Sequence, residues 1–156
     1  MFSFLESCGS KGNLEEVRAA LDRGEDVNGV KAQTGKLTGL MLAVMNKHNS
    51  IVKLLLEQPT VNLDLVNRDG YTALHFAAKH DNVEAVQLLL ADSRFHSVNL
   101  KDLFGKTPVM NAMFYKKEDA LRELVTNPSV HLDTWDGKGR SLEEVARWAL
   151  NNFNRF

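Results

Sequence analysis

One cysteine, three prolines, two tryptophans and two tyrosines stand among 156 residues, and neither sign of charge prevails. A lone thiol, Cys8, permits no internal disulfide, so packing must hold the fold, and cytoplasm or nucleus is the expected location. Nineteen basic against twenty acidic residues leave a net charge of −1. No overall field therefore draws the chain to nucleic acid or to an acidic membrane. The longest unbroken apolar stretch, Leu40 to Met45, is far short of a bilayer span, and the amino terminus lacks the basic start and apolar core of a secretory signal.

Catalytic and metal-binding patterns are missing as well. The five histidines, His48, His75, His80, His96 and His131, form no His-x-x-x-His pair on a helix, and one cysteine cannot complete a zinc pattern. Gly35-Lys36 and Gly105-Lys106 lack the upstream glycine of a phosphate-cradling loop. Adjacent carboxylates, Glu15-Glu16 and Glu143-Glu144, point in different directions on a helix and are expected at the solvated surface. Cys8 falls at a small packing position, which suits a buried thiol better than a nucleophile. The expectation is a chain with no metal, no cofactor, no small-molecule substrate and no enzymatic activity.

What is present is repetition. The segment Asp69-Gly-Tyr-Thr-Ala-Leu-His-Phe-Ala-Ala78, followed by Val86-Gln-Leu-Leu-Leu90, returns in weaker copies. Thr72 has counterparts at Ser3, Thr38, Thr107 and Ser141, so the steps are 35, 34, 35 and 34 residues. Such a period fits stacked helical pairs. In the central copy, Leu74, Ala77 and Ala78, then Val83, Val86, Leu89 and Leu90, are spaced three and four apart, which predicts two short helices with one apolar stripe each. Helices of about ten residues are too short to stand alone in water, so each pair must bury its stripe against its neighbours. Cys8, Ala43, Ala77, Ala112 and Ala146 share one register position, where small side chains let first helices approach closely. The threonines and serines are placed to cap those helices, and Gly70, Gly105 and Gly139 sit where the preceding turn needs positive φ.

These residues resemble the ankyrin repeat, with its turn motif Gly-x-Thr-Pro-Leu-His-x-Ala, a helix, a short break and a second helix ending in Leu-Leu. The copy from Gly70 to Leu90 is the best match. The next keeps Gly105, Thr107, Pro108 and Ala112, and the one at Thr38 keeps Leu40, Ala43 and Val52 to Leu56. In the first copy Gly24-Glu-Asp-Val-Asn28 looks like the family's closing turn. The resemblance implies an all-α helical repeat solenoid of about five units, approximately 1–33, 34–67, 68–102, 103–136 and 137–156, with degenerate terminal capping units and the last incomplete. His75 is then expected to serve structure by hydrogen-bonding the neighbouring turn. Gly35 lies three residues before Thr38 where two are usual, which predicts a reshaped turn. Gln58-Pro-Thr60, Ala91 to Ser97 and Thr126 to Ser129 are expected to be loop insertions on one edge.

The resemblance also implies a protein partner held in a concave groove made by turn tips and the free side of the first helices. The groove positions carried over are Met45 and Asn46; Arg68, Asp69, Tyr71, Lys79 and His80; Leu103, Phe104, Lys106, Phe114 and Tyr115; and Trp135, Lys138, Arg140 and Trp148. The groove is therefore expected to turn from polar to aromatic towards the carboxyl end. Aromatic and arginine side chains dominate interface energies, so a partner with hydrophobic anchors and some acidic residues is expected. For Trp148, Phe153 and Phe156 a role in capping the stack stands beside binding, and the ending at Asn154-Arg-Phe156 is compatible with a longer natural protein. Two functions remain open: an adaptor, scaffold or inhibitor, and the targeting segment of a larger enzyme or ubiquitin-ligase subunit. A monomer is expected, with self-association through the aromatic end as the alternative.

Overall fold

The computed structural model describes residues 3–30, 32–132 and 141–152. Its helices are α1 (Phe4–Cys8), α2 (Leu14–Asp22), α3 (Gly39–Met45), α4 (Asn49–Leu56), α5 (Ala73–His80), α6 (Val83–Ala91), α7 (Pro108–Phe114), α8 (Glu118–Thr126) and α9 (Leu142–Asn152), with one 3-10 turn at Ala32–Thr34. Helices α1, α3, α5, α7 and α9 pack side by side in one layer, while α2, α4, α6 and α8 form the layer behind. The fold is an all-α repeat solenoid.

Every first helix starts where its serine or threonine dictates. The hydroxyls of Ser3, Thr38, Thr72, Thr107 and Ser141 accept the N–H groups of Glu6, Met41, His75, Met110 and Glu144 in turn. Each bond satisfies an amide that the helix cannot pair internally. Cys8, Ala43, Ala77, Ala112 and Ala146 are all buried, which fits their role as the close-approach positions. Burial pushes the Cys8 thiol up to about 12, so the sulfur stays protonated and unreactive. The back layer supplies volume through Ile51, Leu55, Leu89, Leu121 and Leu124, all fully buried, at roughly 1.5–3 kcal/mol each.

Between the first and second helix of each pair the chain passes through the left-handed region at one register position, held by Gly12, Lys47, Asp81 and Lys116 with φ of 57°, 59°, 55° and 53°. The reshaped turn expected at Gly35 is also present, since Gly35 and Lys36 are both left-handed, with φ of 71° and 61°.

The segment Ala91 to Ser97 does more than absorb length. Phe95 is buried, in register with Val61 and Val130, which are buried too. Arg94 reaches back one unit and donates to the carbonyls of Leu56 and Gln58 at 2.6 and 2.9 Å. It thereby caps the carboxyl end of α4, while the Asp92 carboxylate holds the guanidinium in place at 2.6 Å. Side-chain amides stitch the same edge. Asn28 donates to Thr60 O and accepts from Asn62 N, and Asn99 donates to Ser129 O and accepts from His131 N, all at 2.8–2.9 Å.

Candidate interaction surface

The turn tips set where the groove residues stand. Leading into the third unit, the Asn67 side-chain oxygen accepts the N–H groups of Asp69 and Tyr71. Leading into the fourth, Asp102 accepts from Phe104 and Lys106 in the same way. One backbone bond joins each tip to the previous one: Arg68 N to Gly35 O and Leu103 N to Asp69 O, both 2.9 Å. The tips therefore form a continuous ledge beside the first helices. His75 adds the expected tie. Its Nδ1 accepts from Thr72 N at 3.1 Å, which leaves Nε2 to carry the proton and donate to Lys106 O at 3.2 Å. Burial holds its pKa below the usual value, as suits a ring that works in the neutral form.

Along this ledge the side chains change from polar to apolar. Arg68, Asp69 and Asn46 are exposed, and Met45 is half-buried against the core. Leu103 is 75% exposed, Phe104 69%, Phe114 63% and Trp148 59%. These four are the most exposed large apolar side chains among the described residues. Phe114 meets Tyr115 edge to face at 5.1 Å, Lys106 Nζ lies 3.6 Å from the Phe114 ring centre, and Lys79 Nζ lies 4.9 Å from that of Tyr115. Such contacts keep the ammonium groups over aromatic faces without neutralising them.

Tyr71 departs from the expectation. It is only 7% exposed, stacked on His75 at 5.4 Å and edge-on to Phe76 at 5.4 Å. The reason is local: Tyr71 precedes the N-cap Thr72, and Phe76 is the fourth helical residue, so the two form a hydrophobic staple. Burial, then the neighbouring Tyr115, raises its phenol to about 12. Tyr71 thus belongs to the interior and presents little to a partner. His80 is half-buried, stacked on Phe76 at 6.4 Å. Arg147 on α9 is paired with Glu143 at 2.6 Å. Trp135, Lys138 and Arg140 lie outside the described residues, as do Gly139, Phe153 and Phe156.

Sequence reasoning also missed a cleft. Between α7 and α9 opens a space of about 500 Å³ lined by Met110, Met113 and Phe114 on one side and Leu142, Val145, Trp148 and Ala149 on the other, with Lys106 and Lys116 among its lining residues. The signal was the apolar three-and-four spacing on both helices, at 110, 113, 114 and at 142, 145, 148, 149. That pattern shows which faces are apolar and leaves open how far apart two helices will stand.

A family profile described as ankyrin repeats, three copies, matches residues 5–102. The chain belongs to the ankyrin repeat family. Ankyrin repeats are protein-interaction modules, and the family is generally non-catalytic. A probable 26S proteasome regulatory subunit p28 of Saccharomyces cerevisiae is 31% identical over 151 residues, which cover 92% of this chain and 64% of that protein. A putative ankyrin repeat protein of fowlpox virus is 31% identical over 115 residues, 72% of this chain and 33% of its own length. A probable E3 ubiquitin-protein ligase, XBOS33 of Oryza sativa, is 40% identical over 91 residues, 56% of this chain and 16% of its own. This chain spans less than two thirds of each of these relatives. No described helix is long and apolar enough to cross a membrane.

Proposed function

We propose that this ankyrin repeat chain is a non-catalytic adaptor, scaffold or inhibitor that holds a protein partner against its turn tips and the free side of its first helices, chiefly at the carboxyl-terminal end. The supporting observation is the clustering of Leu103, Phe104, Phe114 and Trp148, all more than half exposed, on the last two units. A soluble protein leaves so much large apolar surface in one region uncovered when another molecule covers it. The polar ledge at Asn46, Arg68 and Asp69 would then steer and orient the partner while the aromatic end supplies most of the affinity. Location in cytoplasm or nucleus, and a monomeric free state, belong to the same reading.

A second reading has one specific observation in its favour. The match to XBOS33 covers 16% of that protein, so a stretch like this one serves there as a segment of a larger polypeptide named as a ubiquitin ligase. Here the repeats would select substrates for catalytic parts carried elsewhere in a larger protein.

Affinity capture with the intact chain beside a Leu103→Ala, Phe104→Ala, Phe114→Ala triple variant tests the reading. A protein retained by the first and lost by the second, with unchanged thermal unfolding, is the expected result. Equal capture by both would refute it. A partner that is itself ubiquitinated in a chain-dependent manner would favour the second reading, and concentration-dependent sedimentation would reveal self-association.

A further inference from the structure

The cleft between α7 and α9 carries more information than the exposed aromatics alone. Its walls are largely apolar, with Asn152 at one side, and among the described residues the charged groups lining it are Lys106 and Lys116. Neither makes an ion pair among the described residues. Glu118, a nearby carboxylate, is already held by Arg122 at 2.5 Å, and the Asp81 carboxylate accepts a backbone amide. Asp119 remains as an exposed acidic group at the start of α8.

Beyond the cleft the positive character continues. Lys47, Lys79 and Lys117 surround His80 closely enough that their charges add to burial in disfavouring its protonated form. Lys79 stands over Tyr71 and Tyr115, at 5.6 and 4.9 Å from the ring centres. A cationic ridge thus runs from the third helix pair to the rim of an apolar slot. The slot's volume is that of a small-ligand pocket. A compact ligand inside it would still leave the outer faces of Phe114 and Trp148 in water, along with Leu103 and Phe104 on the tip.

We propose that this cleft receives a bulky apolar side chain from an acidic peptide segment of the partner, whose carboxylates pair with Lys106 and Lys116 at its edge and with the lysines beyond. The proposal rests on the reading above that a protein is bound here, and it names the chemistry of what is bound. An anchor in the slot removes apolar surface from water, and flanking carboxylates meet Lys106 and Lys116, which make no ion pair among the described residues.

Fluorescence anisotropy with three labelled helix-forming peptides tests it on the full chain. The first probe carries leucine and phenylalanine anchors among glutamates, the second the same anchors among lysines, and the third has serines for the anchors. Only the first is expected to bind, more weakly as salt rises from about 0.05 to about 0.3 M. Its affinity should fall at least about tenfold in Val145→Lys and in the Lys106→Glu, Lys116→Glu double variant, and stay unchanged in Lys53→Ala, whose lysine pairs with Glu84 elsewhere. Circular dichroism melts check that the variants fold, and Trp148→Phe offers a milder change in the same wall.

Equal binding of the lysine probe, or no binding of any probe, would overturn the proposal. So would a gain of about tenfold in Phe153→Ser, Phe156→Ser, since the chain's own end would then be the cleft's occupant. Capture of a partner by Val145→Lys at wild-type strength would sink this proposal and spare the broader reading, whereas absence of any partner for the wild type would sink the broader reading.

Discussion

The carboxylate of Asp81 accepts the backbone N–H of Ala120 at 2.9 Å, across a unit boundary. Ala120 is the third residue of α8, whose own N-cap, Lys117, offers no side-chain oxygen. In α6 the same role is filled from within, by Asn82 accepting from Ala85. Asp81 also adopts left-handed φ, which aspartate and asparagine tolerate better than most residues. Asp81→Ala is therefore expected to cost about 1–2 kcal/mol in chemical denaturation, and Asp81→Asn much less. Equal losses would show that the charge, and not the cap, is what matters.

The two tip glycines separate two costs. Gly70 and Gly105 have φ of 79° and 75°, so alanine is strained at both. A Cβ on Gly70 would also lie 3.1 Å from Leu103 N and 3.2 Å from Asp102 Cα, whereas one on Gly105 meets nothing within 4 Å. Gly105→Ala should lose about 1 kcal/mol and Gly70→Ala clearly more, because the next unit's backbone must move. Thermal unfolding of both variants measures the difference, and a smaller loss at Gly70 would contradict the described tip-to-tip contact.

Acid should loosen the stack through His75. Its native pKa is depressed by burial, so below the ordinary value of about 6.5 the unfolded chain takes up a proton that the folded ring declines. Stability then falls as pH falls, by at most ~1.4 kcal/mol per unit for one histidine. His80, depressed by burial and then by Lys79, Lys117 and Lys47, acts in the same direction. Protonating His75 Nδ1 would also remove the acceptor used by Thr72 N. In His75→Met, which copies Met41 and Met110, the slope of stability between about pH 7 and about pH 5.5 should flatten, although overall stability drops with the lost bond to Lys106. An unchanged slope would exclude His75 as its source.

Asn111 is fully buried on α7, yet neither polar atom of its side chain has a hydrogen-bond partner among the described residues. The same register position holds Leu42 and Phe76. Removing an unpaired buried amide relieves its desolvation cost, so Asn111→Leu should stabilise by about 1 kcal/mol. A higher denaturation midpoint at unchanged slope is the expected reading, and a marked decrease would mean that the site cannot hold the added volume.

Much of the fold was legible because its signals each have one physical use. The five hydroxyl residues cap helices, Cys8 and the four alanines pack closely, and His75 bonds the next turn; residue type and spacing told that story without coordinates. Other features turn on distance between elements. Lysines at positions 47 and 116 give no sign of left-handed backbone, and Arg94 and Phe95 sit in a segment that looks like spare loop until the carbonyls of the previous unit are seen beside it. Tyr71 has the exposure expected of a staple residue, not of its turn-tip neighbours. The cleft depends on how α9, eleven residues long against seven in α7, settles on the stack, and no local pattern encodes that separation.

The most direct measurement places a photoreactive phenylalanine analogue at position 114 in cells and, as control, at Gln87, an exposed residue on α6. A discrete heavier adduct with another protein is expected from position 114 and none from position 87. Adducts of the same kind from both sites, or from neither, would contradict the claim that the exposed aromatic end of this ankyrin stack is where its partner lies.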